Sequence, residues 1–233
     1  MMAVMSSPET DTSPSGVASV TAVCLVHSLL PEPTNPDGLT AIDKRPVALA
    51  VQAGPLGLAA DMIKDYRHHG GIEQAVYVYA DEDAAWWAAE LGREITPGLF
   101  GENLRSSGVD VSGAEIGERW LIGDQAHGVL LEVTAPRIPC QTFARRMGEK
   151  SWVKRFTEHG ACGAYLRVVA GGRVAEGDAV TVVHRPGHGV TIGHVFPDLT
   201  PAAARTLLDA AEIGVVDLGP RVARSVRVAA ARP

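Results

Sequence analysis

Cys140 is the residue of this chain most open to chemistry. Its context is Pro136-Arg137-Ile138-Pro139-Cys140-Gln141-Thr142-Phe143. Two prolines stiffen the approach and deny it the ladder hydrogen bonds of a continuing strand. A helix is expected to start just after the cysteine. Free N–H groups at such a start, together with the charge of Arg137, favour a thiolate. A thiolate there is a nucleophile or a soft metal ligand. A buried structural cysteine is the competing reading, and residue chemistry alone leaves the two open. Cys24, inside an apolar run, and Cys162, among small residues, read as structural.

Three further clusters carry polar groups in suggestive order. His68-His69-Gly70-Gly71 joins two histidines to glycines that permit close backbone approach to a ligand. Neighbours on an extended chain face opposite ways, so one of the two histidines is expected to face a site. A zinc site would have to recruit Asp61 and Asp65, and no established zinc spacing supports it. Phe100-Gly101-Glu102-Asn103-Leu104 sets a carboxylate beside an amide on a glycine turn. That pair can read a heterocycle edge, or simply close a β-turn. Asp43-Lys44-Arg45-Pro46 precedes a strand. Lys44 and Arg45 can grip a phosphate, or stand as a solvated pair. P-loop, G-x-G-x-x-G, H-E-x-x-H and G-x-S-x-G patterns are absent, which argues against nucleoside-triphosphate, nicotinamide, zincin and serine-hydrolase chemistry.

The elements that must position these groups are mostly strands. Val20 to Leu30, Pro46 to Ala53 and Ala75 to Ala80 carry β-branched or aromatic residues. Asp81 to Leu91 opens with acids and stops at Gly92, as a capped helix does, with Trp86 and Trp87 as expected core anchors. Gly117 to Ile122, Gly128 to Thr134, Ala164 to Ala170 and Asp178 to His184 read as strands, with one helix from Thr142 through Phe156 between them. Thr200-Pro201 caps a helix running to Ile213, and Pro220 to Ala231 forms another. The expected organisation is a Ser/Thr/Pro-rich disordered tail over 1–16, a β-rich domain over 17–197 and a helical appendage over 198–233.

Composition fits that picture. With 46% hydrophobic residues among 233, the chain can bury a sizeable core. A net charge of −6 argues against nucleic acid as a partner. The stretch from Thr12 to Pro31 carries no formal charge, but its apolar part, Val17 to Leu30, is too short and too polar to span a bilayer, so no membrane association is expected. No basic residue precedes Lys44, so no secretory or mitochondrial leader is expected, and the three cysteines suit a reducing, cytoplasmic setting.

Taken in order, Lys44-Arg45-Pro46, Asp61, His69-Gly70-Gly71 leading into Gln74-Ala75-Val76-Tyr77, Phe100-Gly101-Glu102-Asn103-Leu104, Gly117-Glu118-Arg119 and Pro136-Arg137-x-Pro139-Cys140 resemble the MOSC domain, named after the C-terminal domain of molybdenum cofactor sulfurase. The likeness runs from about Val20 to Val195 and is greatest to the stand-alone bacterial branch whose members reduce N-hydroxylated compounds; Trp152-Val153-Lys154-Arg155-Phe156 and His188-Gly189-Val190-Thr191 also look like that branch. The resemblance implies a mainly β (α+β), barrel-like fold that binds molybdenum-molybdopterin. It implies Cys140 as metal ligand, Lys44 and Arg45 on the cofactor phosphate, and His69, Gly70, Gly71, Glu102, Asn103 and Arg137 around the pterin or metal. The implied reaction is a two-electron reduction of an N–O bond in a small N-hydroxylated substrate. No flavin or iron–sulfur motif is present, so a separate electron-donating reductase or carrier protein is implied; the helical tail could dock it, or a second copy in a homodimer. Two other functions use the same residues: a sulfur carrier with a Cys140 persulfide, and a non-catalytic molybdopterin-binding module. One departure stands out. Relatives often show Gly-Asp-x-Gln where this chain has Ala60-Asp61-Met62-Ile63, which puts that segment's role in question.

Overall fold

The computed structural model describes residues 17–65 and 69–233. The expected tail over 1–16 and His68 lie outside the described residues.

The chain opens with β1 (Ser19–Pro31), a long strand that pairs with two neighbours in succession. Its second half runs antiparallel to β2 (Leu39–Pro46). Pro46 offers no N–H to prolong that ladder, and the chain leaves for a small second sheet through β3 (Val51–Gly54) and β4 (Gly57–Leu58). The strand expected over 46–53 is therefore two pieces in different sheets. The residues of β2 do not look like a strand in sequence because Asp43 and Lys44, though charged, are both buried.

β5 (Val76–Ala80) is buried along its whole length and leads directly into α1 (Asp81–Leu91), which ends on Gly92 in the left-handed conformation. Trp87 is the expected core anchor, but Trp86 is 47% exposed and lies flat on His159, ring centroids 3.8 Å apart. β6 (Leu104–Ser107) pairs parallel to β5, and β7 (Arg119–Ile122), β8 (Val129–Pro136), β9 (Ala164–Ala170) and β11 (Val180–His184) add antiparallel strands. β10 (Gly172–Val174) joins the small sheet. The large sheet has the order β11-β7-β8-β9-β5-β6-β1-β2. An antiparallel bridge, Ser19 to Ala179, flanked by Val20 N–H to the Asp178 carbonyl and Val180 N–H to the Ala18 carbonyl, links the start of β1 to the start of β11 at the sheet's other edge. The architecture is thus the expected barrel-like α+β fold, joined by a bridge rather than closed by a full ladder.

Between β8 and β9, the helix expected over 142–156 is two helices, α2 (Gln141–Met147) and α3 (Trp152–His159). Gly148 (φ 68°) and Ser151 (φ 55°) are both left-handed, which breaks the helical run. Phe143, Trp152 and Phe156 bury themselves against Phe100 and Trp87. After a short α4 (Ile192–Val195), the chain ends in a hairpin of α5 (Pro201–Glu212) and α6 (Pro220–Ala230), with Thr200 capping α5 as expected. Val216, in the turn between them, packs over Gly117, and Asp217 accepts from Arg167 of β9.

Candidate functional site

A cavity of about 750 Å³ opens between the β1–β2 hairpin, the loops around 61–75, the 100–103 turn and the start of α2. This volume lies in the ordinary range for ligand sites. Its wall includes Lys44, Asp61, His69, Gly70, Tyr77, Asn103, Arg137, Cys140 and Tyr165.

Asn103 joins two of the walls. Its backbone donates to the Tyr77 carbonyl at 2.8 Å and accepts from Cys24 N–H at 2.7 Å, bridging β5 and β1. Its side-chain oxygen accepts from Tyr77 N–H at 3.2 Å, and its amide nitrogen donates to Asp61 at 2.8 Å. Asp61 also accepts from Val26 N–H at 3.0 Å and from the Lys44 ammonium at 2.6 Å. Ala60 takes φ 64°, so the turn is left-handed there and delivers Asp61 to these partners.

Lys44 and Arg45 do not act together. Of β2, Thr40, Ala41, Ile42 and Lys44 line the cavity, and Arg45 does not. Arg45 is mostly solvent-exposed and donates to Asp43 at 3.2 Å, so the expected two-residue phosphate grip is reduced to Lys44, whose charge Asp61 neutralises. Glu102 is not a cavity residue either. It is fully buried, and its oxygens accept from Gly98 N–H, Phe100 N–H and the Arg105 guanidinium. It holds the turn rather than reading a ligand. Gly98 must be glycine here, because φ is +85° and a Cβ would collide with the Lys44 carbonyl.

Of the histidine–glycine segment, His69 and Gly70 line the cavity, while Gly71 is exposed and precedes the short 3₁₀ turn Ile72–Gln74. Gly70 has φ +80°, and a Cβ there would lie 2.6 Å from Ile63 Cδ1. Among the described residues no group of three or more His, Cys, Asp or Glu could hold a metal ion, and His68 lies outside them.

Arg137 follows β8 and is only 4% exposed. Its guanidinium lies 3.8 Å from the Phe143 ring centre, and one nitrogen reaches the Phe100 carbonyl at 3.5 Å. Nη1 is buried with no hydrogen-bond partner among the described residues. Cys140 is half-buried at the N-cap position of α2, and its thiol is free. α2 is fixed from behind by two ion pairs. Arg145 donates to the buried Glu32, and Arg146 to the buried Asp43 at 2.7 Å. Burial alone would raise the Glu32 carboxyl, but hydrogen bonds from Arg145, Thr34 and Thr142 outweigh it and bring it down to about 2. By contrast, burial pushes the Cys24 and Cys162 thiols up to about 12, consistent with their structural reading.

Sequence reasoning overlooked Tyr165, Gln74 and Tyr77 as cavity residues. The Tyr165 hydroxyl lies 3.3 Å from His69 Nδ1, and its ring is 5.3 Å from that of Tyr77. Burial raises the Tyr165 phenol, with Arg137 opposing. All three lie in strand-like or turn-like sequence, where an aromatic or amide reads as packing.

The MOSC domain profile matches residues 65–181, half of the chain and the stretch that supplies Arg137, Cys140 and Tyr165. The chain belongs to the MOSC domain family. It is 33% identical over 153 residues to the uncharacterized protein YflK of Bacillus subtilis, covering 66% of this chain and 67% of that one. It is 28% identical to YiiM of Escherichia coli, over 63% of this chain and 65% of YiiM. A protein named reductase from Gibberella moniliformis is 32% identical over 57% of this chain, which spans only 24% of that longer protein. In fold, the crystal structure of YiiM from Geobacillus stearothermophilus superposes with a TM-score of 0.72 at 22% identity, over 92% of this chain and all of that one. YiiM from Escherichia coli gives 0.66 at 19% identity, covering 90% of each chain. No described helix is long and apolar enough to cross a membrane.

Proposed function

We propose that this MOSC protein binds a molybdenum cofactor in the cavity, with Cys140 as a ligand to the metal, and reduces small N-hydroxylated compounds. The observation that carries the reading is Arg137. A guanidinium this buried, with one nitrogen unpartnered among the described residues, on a residue that lines a cavity beside a free thiol, suits an anionic ligand. Molybdopterin fits that demand, being an anionic group that joins a sulfur-bound metal to a phosphate. A cysteine thiolate is a suitable additional ligand for such a metal. When bound, the centre supplies the two electrons that cleave an N–O bond.

The chain's own residues would divide the rest of the work. Arg137 would hold negative charge, and the Phe143 ring beneath it fixes where that charge sits. Lys44 would reach a phosphate only by sharing with Asp61, so the pair sets position rather than supplying a net charge. Asn103 is locked by its backbone and side-chain bonds and would present a rigid edge to the pterin. Gly70 would let backbone approach the ligand. Arg45, Glu102 and Gly71 fall outside this set. The reading carries with it a separate electron-donating protein and a cytoplasmic setting.

Elemental analysis tests this directly. Protein from a host able to make the cofactor should carry near-stoichiometric molybdenum, lost in Cys140→Ala and absent from a host that cannot make it. Metal retained by Cys140→Ala would overturn the ligand assignment. Thiol-releasable sulfur on Cys140, with no molybdenum from either host, would establish a sulfur carrier instead.

A further inference from the structure

Reducing an N–O bond consumes protons as well as electrons, and none of the roles above delivers them. For an aryl hydroxylamine the balance is ArNHOH + 2 e⁻ + 2 H⁺ → ArNH₂ + H₂O. The N–O bond breaks, the departing oxygen gains a proton and the nitrogen gains the other. Arg137 cannot serve, because a guanidinium does not give up its proton in a protein. Tyr77 is committed elsewhere, its hydroxyl donating to the Cys162 carbonyl at 3.0 Å. Lys44 is held by Asp61.

We propose that Tyr165 is the proton-donating residue of this site and that His69 resupplies it through Nδ1. This rests on the reading of the cavity as a reductive centre. The geometry is a hydrogen bond of 3.3 Å between the Tyr165 hydroxyl and His69 Nδ1, both groups lining the cavity that holds Cys140 and Arg137. The hydroxyl can hand its hydrogen to the departing oxygen while its oxygen takes one from Nδ1. The phenol ends neutral, His69 passes from imidazolium to neutral imidazole, and it regains its proton from solvent. Nδ1 alone is used, whatever else the imidazole touches. A second cycle supplies the proton for nitrogen. The electrons come from the separate donor protein, or from reduced viologen dye in its place. The strand position of Tyr165 does not depend on its hydroxyl. The residue pairs with Tyr77 across β5 and β9, and its carbonyl accepts from Thr134 at 2.8 Å. Loss of the hydroxyl should therefore leave the strand in place.

The test is single-turnover reduction of an aryl hydroxylamine by molybdenum-loaded enzyme prereduced with viologen dye, in mixtures of light and heavy water. Wild type should show a curved dependence on deuterium fraction, the mark of two protons in flight. Tyr165→Phe should lose roughly 10²–10⁴-fold in rate, with molybdenum content unchanged and a linear dependence. Tyr79→Phe, which removes the hydroxyl of a buried tyrosine that bonds the Ala161 carbonyl and does not line the cavity, should keep the curved dependence and the rate. On the metal-free protein, Tyr165→Phe should shift one imidazole ¹⁵N resonance, the one missing in His69→Gln. A Tyr165→Phe enzyme within threefold of wild type, or one that has lost molybdenum, would overturn the relay while leaving the reductase reading standing. Wild type that holds molybdenum yet reduces no hydroxylamine would overturn the reductase reading, and the relay with it.

Discussion

Two arginines lie deep in this molecule, and they are buried for opposite reasons. Arg105 is fully buried and saturated. It donates to both Glu102 and the carbonyls of Ile95 and Thr96, and Asp81 lies at 3.5 Å. Arg137 is nearly as buried, yet it has aromatic rings, the Tyr165 phenol, one long bond to Phe100 and an Nη1 with no hydrogen-bond partner among the described residues. The two are connected, because the Glu102–Arg105 pair shapes the turn whose Phe100 carbonyl holds Arg137. Burying a charge is costly unless it is paired. The saturated arginine has met that cost within the fold, and on the proposed function the unsaturated one would leave it for a ligand to meet. Accounting for partners, rather than depth, separates scaffold from site.

The comparison breaks most visibly at Glu102. Glu102→Gln keeps the shape but leaves Arg105 with only the part-exposed Asp81, at 3.5 Å, as a carboxylate partner, and about 3 kcal/mol of stability should be lost. Urea unfolding would show it as a lower midpoint with an unchanged slope. Arg137→Met should do the reverse. With no carboxylate left unpaired, stability of the metal-free protein should hold or rise by about 1–2 kcal/mol, while bound molybdenum falls at least tenfold. If Arg137→Met destabilises as much as Glu102→Gln, the distinction between the two arginines fails.

Much of this is legible in the sequence, and the failures share a cause. Cys140 at a helix start, the capped helix Asp81–Leu91 and the terminal helix pair all rest on local signals: prolines, a left-handed glycine, an N-cap threonine. Tyr165, Gln74 and the inward-facing Lys44 depend on which strands become neighbours, which no local pattern states. β2 escapes a local reading because a strand with a buried Asp43 and Lys44 looks like a loop until Arg146 and Asp61 are seen to neutralise them. Glu102 misleads in the other direction. Its glycine-turn setting suggests a ligand contact, but its partner Arg105 lies three residues on and consumes it.

A smaller test uses a carboxyl with the burial of Glu102 in part but without its arginine. Asp83, in the first turn of α1, is pushed up to about 6, chiefly by burial and then by Asp110 and Glu82. The folded state therefore holds that proton more tightly than the unfolded chain does. The contribution to stability is fully present below the unfolded value near 4 and is lost as pH rises through 6. Asp83→Asn should therefore stabilise by about 1–2 kcal/mol at pH 7, allowing for solvent screening, and give no gain at pH 4. A gain independent of pH would show that shape, not charge, is at fault.

The smallest effect lies in the backbone on the cavity side. Ala60 is exposed and takes φ 64°, a conformation that costs a residue with a Cβ about 1 kcal/mol. Ala60→Gly would relieve that strain, offset by the extra freedom glycine has when unfolded. The net gain should be about 0.5 kcal/mol, read as a small rise in the urea midpoint. Molybdenum content should not change, because Asp61 already reaches Lys44, Asn103 and Val26 with alanine in place. A change in metal content from this substitution would mean that the turn governs the cavity as well as its own strain. The division between a saturated scaffold and an unsaturated site would then have to be redrawn to place Asp61 and its loop with Arg137.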